Sequence, residues 1–305
     1  GGGGWGVVRV VSWLVWRTWR SRVVMLLLHR VGRCSRLLHK ILPNVLLDLA
    51  QWTADARAHA AGLLVTVFAV SEDAVTEHIE RVVTALVKST SDDDPRVREC
   101  IGAAAEIVGR FVVPDAQLAV LLPQARGEVS GLGTNEHRSA TLEVLSSIVS
   151  GMTSDQLKPH LVDLARTFTD PGLAEPTPPS LRLRLASAVH NLLGPGKKAL
   201  QGNNDVCRML LRALFHAKAS GADEDIDALA EASFVKLADI CGCEFPMALF
   251  AQFARGLAAD VTPYAAAWTK SEFTRCVFDA WIRQCHVVSF CAYLLVGPQC
   301  VCVCM

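Results

Sequence analysis

Apolar residues recur at helical spacing through the middle of this 305-residue chain. Two neighbouring segments follow the i, i+3, i+4, i+7 pattern: Ala60, Leu63, Leu64 and Val67, and then Ile79, Val82, Val83 and Leu86. This spacing places the apolar side chains on one face of an α-helix. The middle of the chain lacks the alternation of apolar and polar residues that half-buried strands show. The pattern therefore predicts an all-α fold.

Four of the predicted helices begin alike, with an arginine ahead of a run of small and apolar residues. These arginines are Arg57, Arg98, Arg138 and Arg184, which lie 41, 40 and 46 residues apart. Another helical segment precedes each of them, so the repeating unit is a pair of helices. A fifth pair is predicted over residues 206–237. A period of about 40 residues with two helices per unit is typical of HEAT and armadillo repeats.

We therefore predict an α-solenoid of about five to six HEAT-type antiparallel helix pairs. One pair alone cannot bury its apolar face, so the pairs stack on one another. The turn at residues 91–95 suits such a unit, because aspartates there supply N-cap oxygens and Pro95 occupies the first helical turn. We expect Arg57, Arg98, Arg138 and Arg184 to reach an acid or a helix C-terminal carbonyl in the adjacent repeat. Pro95 and these arginines are thus predicted to be structural.

The composition adds an uneven distribution of charge, although 30 Lys and Arg balance 30 Asp and Glu. Residues 1–47 contain eight basic residues and no acid, and residues 280–305 contain one basic residue and no acid. All 30 acids therefore lie in residues 48–279, together with 21 basic residues. We predict a HEAT-repeat solenoid over residues 41–279. An overall charge of zero gives no reason to expect nucleic acid as a partner.

Two atypical segments flank the predicted solenoid. Residues 1–40 are basic and rich in Trp and Gly, and residues 280–305 are rich in Cys. We expect both to lack a fixed fold or to come from outside the true reading frame of the gene. Neither holds the ~20 consecutive apolar residues that a membrane-spanning helix needs, so we do not expect a membrane location.

Motifs of catalysis and metal binding are missing from the sequence. There is no Gly-x-Ser-x-Gly and no His-Glu-x-x-His, and Cys241 and Cys243 lack the further ligands of a zinc site. We predict a protein that is not an enzyme, with no catalytic residue, metal, cofactor or small-molecule substrate. Cys302 begins a C-a-a-X prenylation pattern, but no polybasic stretch precedes it and a single lipid chain holds a membrane weakly. A lipid-anchored protein is therefore a minor alternative.

Several stretches of the middle carry a family resemblance. They are residues 42–49, 57–64, 108–115 and 157–161, with Trp52 between the first two. These stretches resemble HEAT units of the dynein axonemal assembly factor 5 family. The resemblance is clearest over residues 42–170 and fainter to residue 279.

The resemblance implies a cytoplasmic, non-enzymatic scaffold that helps to preassemble inner and outer dynein arms. Its implied partners are axonemal dynein chains, intermediate or heavy, and chaperone or assembly factors. Since family members have more repeats, we expect this chain to be a fragment.

The alternative function is that of another HEAT-repeat adaptor, namely a nuclear transport receptor, a phosphatase scaffold or a tubulin-binding array. Tubulin-binding arrays expose basic and Trp residues on one edge. The acidic loop residues Glu72 and Asp73 argue against that type.

Overall fold

The computed structural model describes residues 31–174, 178–219, 223–261 and 278–282. Within these ranges the secondary structure is helical and contains no strand. The helices of eight or more α-helical residues are α1 Val31–Asp48, α2 Ala54–Ser71, α3 Ile79–Ser89, α4 Pro95–Phe111, α5 Pro114–Arg126, α6 Asn135–Gly151, α7 Leu161–Phe168, α8 Pro179–Leu192, α9 Asn204–Lys218, α10 Glu224–Ile240 and α11 Pro246–Val261. Shorter helical turns lie at Glu72–His78, Ser154–Leu157, Lys158–His160, Pro171–Ala174 and Lys197–Leu200.

The helices alternate between two rows. The second helices of successive pairs, α2, α4, α6, α8 and α10, contact one another in an unbroken row. The first helices form the other row, in which α3 contacts α5, α5 contacts α7, α7 contacts α9 and α9 contacts α11. At the start of this row α1 packs on the 3₁₀ turn Glu72–His78. The all-α solenoid predicted from the sequence is confirmed, with five pairs followed by α11 in the described ranges.

A continuous apolar core runs between the rows from Leu38 to Trp281. Each helix contributes one stripe, exemplified by Leu64 on α2, Ile101 on α4 and Leu145 on α6, none of them more than 1% exposed. Burying a side chain of this size stabilises the fold by about 1.5–3 kcal/mol relative to exposing it. Because the buried residues of each helix form one stripe, the spacing of apolar residues in the sequence predicts the helices.

The turn before α4 has the predicted form. Asp94 is the N-cap, and its side chain accepts a hydrogen bond from the backbone N–H of Arg96. Pro95 is the first residue of the helix, where its missing N–H costs nothing. The other second helices start with different caps, such as Thr134 before α6 and Asp223 before α10.

The structure moves both predicted boundaries of the solenoid. Helix α1 begins at Val31, so residues 31–40 belong to the first pair rather than to the atypical segment. Leu38, spaced i, i+4 with the buried Leu42, lies in the core with 1% exposure. Past residue 279, Trp281 is also buried in the core. The predictions for residues 1–30 and 283–305 lie outside the described residues.

Helices α4 and α6 approach each other most closely at two glycines. A Cβ atom on Gly109 would lie 1.9 Å from the carbonyl oxygen of Ile148, and one on Gly151 would lie 1.9 Å from that of Glu106. The obstacle is helix backbone in both cases, which cannot rotate away as a side chain does. Each glycine is therefore required by the contact between neighbouring repeats.

We predict that Gly109→Ala and Gly151→Ala each lower the free energy of unfolding by about 3 kcal/mol, because backbone must move to admit the methyl group. Gly62, inside α2, is the matched control, since a Cβ atom added there would meet nothing within 4 Å. Gly62→Ala should raise the free energy by up to about 1 kcal/mol through helix propensity. Urea denaturation of the three variants measures this, and equal effects at all three positions would contradict the packing described.

Candidate functional site

The arginine predicted to join repeats does so in the first repeat. Arg57, on α2, donates from Nε and Nη2 to the two carboxylate oxygens of Asp92, at 2.7 and 3.0 Å. Asp92 lies in the turn between α3 and α4, so this bidentate pair joins two units. The Nη2 of Arg57 also contacts Asp93, and the Nη1 of Arg57 donates to the carbonyls of Gln51 and Trp52. The hydrogen bond from Arg57 is the main cause that lowers the pKa of Asp92.

A second ion pair spans the same junction at the surface. Arg96, at the start of α4, donates to Asp55, at the start of α2, at 2.7 Å. Because it joins the first turns of both helices, α2 and α4 run parallel. Arg98, the next arginine of the predicted series, instead donates to the carbonyls of Asp92 and Asp93 in its own unit.

Arg138 is the deeply buried member of the series, with 7% exposure. Its Nε donates to the carbonyl of Ala125 at the end of α5, at 3.1 Å. Burial lowers the pKa of its guanidinium, and the nearby Asp170 of the next unit opposes that shift. Arg138 thus closes a helix C-terminus in its own repeat and faces an acid in the next.

In the fourth repeat the structure places Arg182, rather than Arg184, at the equivalent position. Arg57, Arg98, Arg138 and Arg182 are each the fourth residue after the N-cap of their helix. Arg182 is buried and donates to the carbonyl of Ala217, at the end of α9 in the following repeat. For Arg184 the sequence pattern predicts either such a carbonyl or an acid in the adjacent repeat.

Arg184 has a different position and a different partner. It lies on the α6 side of α8 and forms an ion pair with Glu143 at 3.0 Å. Burial raises the pKa of Glu143, while the charges of Arg184 and Arg98 oppose the rise. The ion pair of Glu143 with Arg184 therefore links the second helices of two successive repeats, α6 and α8.

Polar contacts continue along the row between α8 and α10. The Nδ1 of His190 lies 2.9 Å from Ser233 Oγ, and its Nε2 lies 2.7 Å from Lys236 Nζ. Since the lysine is a donor, Nε2 accepts and Nδ1 donates, which is the neutral imidazole. Burial and the charge of Lys236 accordingly lower the pKa of His190.

His216 is fully buried on α9, beside Arg212. The Nε of Arg212 donates to His216 Nε2 at 3.2 Å. Burial, helped by the charge of Arg212, lowers the pKa of His216 to about 3. This histidine is a neutral part of the core at every physiological pH.

The edge where the second helices begin carries exposed carboxylates at alternate repeats, since the first turns of α4 and α8 contain no acid. Acids in the first turns of α2, α6 and α10 face solvent there: Asp55, Glu136, Glu224 and Asp225. Each of these acids also stabilises its own helix, because a negative charge in the first turn interacts favourably with the helix dipole. Because the second helices are parallel, these charges form one edge, which we call the acidic edge.

The described residues do not assemble a metal site. No group of three His, Cys, Asp or Glu side chains among them could hold a metal ion. Cys241 caps the end of α10, and the thiol of Cys243 donates to Gln252 Oε1 at 3.1 Å. Cys302, the possible lipidation site, lies outside the described residues.

The helical stretch 54–89 is apolar and long enough to cross a membrane by length and composition alone. It consists of α2, the 3₁₀ turn and α3. Glu72, at the junction of α2 with the turn, has a positive backbone φ of 47°. Leu64, Phe68 and Val83 are buried against neighbouring helices. These side chains pack in the solenoid, and about a third of the most apolar 18-residue window is buried there (33%).

Comparison with known families agrees with the repeat geometry. The family model of the dynein axonemal assembly factor 5 HEAT-repeat domain matches residues 34–220, more than half of the chain. The chain belongs to this family. The matched range opens inside α1 and closes just after α9, so it covers the first four pairs and the start of the fifth.

Curated relatives carry the same family name. The human dynein axonemal assembly factor 5 is 30% identical over 64% of this chain and 23% of its own length. The mouse protein is 31% identical over 43% of this chain and 14% of its own length, and the Xenopus laevis protein is 24% identical over 77% and 27%. The chain thus spans about a quarter or less of these relatives.

Two solved structures show weaker likeness. An engineered protein aligns with a TM-score of 0.38 and a designed armadillo repeat protein with 0.36, both at 15% identity over 79% of this chain. The alignments cover 94% and 99% of those chains. Likenesses of this size bear on neither function nor partner.

We predict that the Arg57–Asp92 pair is energetically coupled and that the Arg96–Asp55 pair is not. The side chains of the first pair are 14% and 10% exposed, whereas those of the second are 59% and 86% exposed and screened by solvent. Melting temperatures of Arg57→Met, Asp92→Asn and the double variant should be clearly non-additive. The cycle of Arg96→Met and Asp55→Asn is the control, and equal coupling in both cycles would contradict the prediction.

We predict that acid destabilises the fold through His216. In the unfolded chain His216 binds a proton below the ordinary histidine pKa of about 6.5, whereas in the folded chain it does so only near its lowered pKa of about 3. The free energy of unfolding therefore falls as the pH drops from about 6.5 to about 3. The expected loss at pH 5 is about 2 kcal/mol from this group. Urea denaturation at pH 7 and 5 should show a smaller loss for His216→Gln than for the parent. The exposed His59→Gln is the control, and an unchanged loss in His216→Gln would refute the prediction.

Proposed function

We propose that this chain is part of a non-enzymatic, cytoplasmic scaffold for the preassembly of inner and outer axonemal dynein arms. The observation that carries the proposal is the match of the assembly-factor HEAT domain across residues 34–220, on helices that stack without interruption. The names of the human, mouse and Xenopus relatives point in the same direction. A stack of repeats offers a long surface along which a large client can lie.

The acidic edge supplies a chemical reason for client binding. Asp55 there is 86% exposed even though it pairs with Arg96, and Glu136, Glu224 and Asp225 are likewise exposed on the third and fifth pairs. Carboxylates at the starts of stacked helices favour basic or mixed-charge segments of a client. The clients proposed are axonemal dynein intermediate or heavy chains, with their chaperones or other assembly factors. Such an interface is broad and sensitive to salt.

We predict that the chain, used as bait in cytosol of ciliated cells, co-precipitates axonemal dynein chains or their assembly factors. The variant Glu136→Lys, Glu224→Lys, Asp225→Lys should recover much less of them, because the acidic edge is reversed. The matched control is Asp73→Lys, Asp155→Lys, Asp205→Lys, which changes exposed first-turn acids at the opposite edge. Raising the salt should reproduce the loss.

Two outcomes would count against the proposal. Recovery of transport cargo or phosphatase subunits with no dynein chain or assembly factor would favour another class of HEAT adaptor. Equal losses in the two triple variants would mean that the acidic edge has no specific part in binding.

A further inference from the structure

A groove separates α1 from α3 on the side formed by the first helices. Helix α1 rests on the 3₁₀ turn Glu72–His78, which holds it away from the body of α3. The resulting groove has a volume of about 630 Å³. It lies on the row of first helices, away from the contacts between second helices described above.

The α1 wall of the groove is apolar. It is formed by Leu42, Pro43, Leu46 and Leu47, with His39 at one end. Leu47 is 66% exposed and Leu46 is partly exposed beside it, so this wall presents apolar surface to solvent. The residues at 39, 42, 43 and 46 follow the i, i+3, i+4, i+7 pattern, so they share one face of the helix over two turns.

The α3 wall repeats this spacing with different chemistry. Arg81, Thr84, Ala85 and Lys88 line it, so two small residues lie between two cations. Seven residues of helix separate the cations by about 10 Å. The small side chains of Thr84 and Ala85 leave space for a partner, and Arg81 and Lys88 lie at the two ends of that space.

Neither of these cations forms an ion pair with an acid of the described residues, whereas Arg57, Arg184 and Lys218 each form one. Arg81 and Lys88 are both exposed. The single acid that lines the groove is Glu80, so the rim is basic on a body in which acids outnumber bases. An apolar floor with a basic rim is complementary to an acidic amphipathic helix.

We propose that this groove binds an amphipathic helix of another protein, whose apolar face meets α1 and whose acidic residues, two turns apart, pair with Arg81 and Lys88. The end segments of this chain do not have that chemistry, because residues 1–30 and 283–305 contain no acid. The inference goes beyond the dynein-arm proposal, since it concerns another surface and a partner segment of opposite charge.

The test uses two synthetic probes, so it is independent of any dynein component. Both are N-acetylated 16-residue helical peptides with the same leucine stripe, one flanked by glutamates and the other by lysines. Fluorescence anisotropy with the full chain should show preferential binding of the glutamate peptide. Leu47→Asp should weaken it at least about 10-fold, whereas Leu63→Asp, at an exposed leucine on α2, should not.

The charge-reversed variant Arg81→Glu, Lys88→Glu should exchange the preference, binding the lysine peptide more tightly than the glutamate peptide. This gain of binding cannot come from misfolding. The control Lys158→Glu, Lys198→Glu, at exposed lysines elsewhere, should keep the preference of the parent. Binding of neither peptide, or no exchange of preference, would overturn the proposal. So would light scattering that shows a dimer dependent on Leu47, because a second copy would then occupy the groove.

Discussion

The fold depends on the burial of the inner second helices, α4, α6 and α8, between the second helices on either side. Helix α6 shows this most fully, because α4 and α8 cover it from both directions. Leu142, Leu145 and Ile148 are completely buried there, and Gly151 meets the backbone of α4 directly. A helix buried on two sides cannot be stable in an isolated unit, so every repeat relies on its neighbours.

The polar contacts between repeats follow from the same arrangement. The last carbonyls of a helix have no partner within it, and the close stacking brings arginines within reach of them. Arg138 uses the end of α5 and Arg182 uses the end of α9. Arg57 meets the turn of the next unit instead, where Asp92 supplies a carboxylate. The contacts of Arg57 and Arg182 fix the register of one repeat on another and that of Arg138 joins the two helices of its own repeat, while the apolar core supplies most of the stability.

Much of the fold could be predicted from the sequence because its signals are local. The helical periodicity and the Asp94–Pro95 turn each involve neighbours along the chain, and both appear in the structure as expected. The pattern selects Arg184 as the fourth arginine because Leu183-Arg184 resembles Val97-Arg98, whereas the start of α8 sets the register at Arg182. The ion pair between Glu143 and Arg184 and the groove beside α3 depend on distances between helices, and a local sequence pattern does not contain those distances.

The claim that this protein serves dynein-arm assembly is tested most directly in axonemes. Ciliated cells depleted of the protein can be examined by electron microscopy of cross-sections, with inner and outer arms counted on each doublet. Loss of both arms from intact doublets, with recovery when the protein is expressed again, is the predicted result. Normal numbers of arms after complete depletion would contradict the claim.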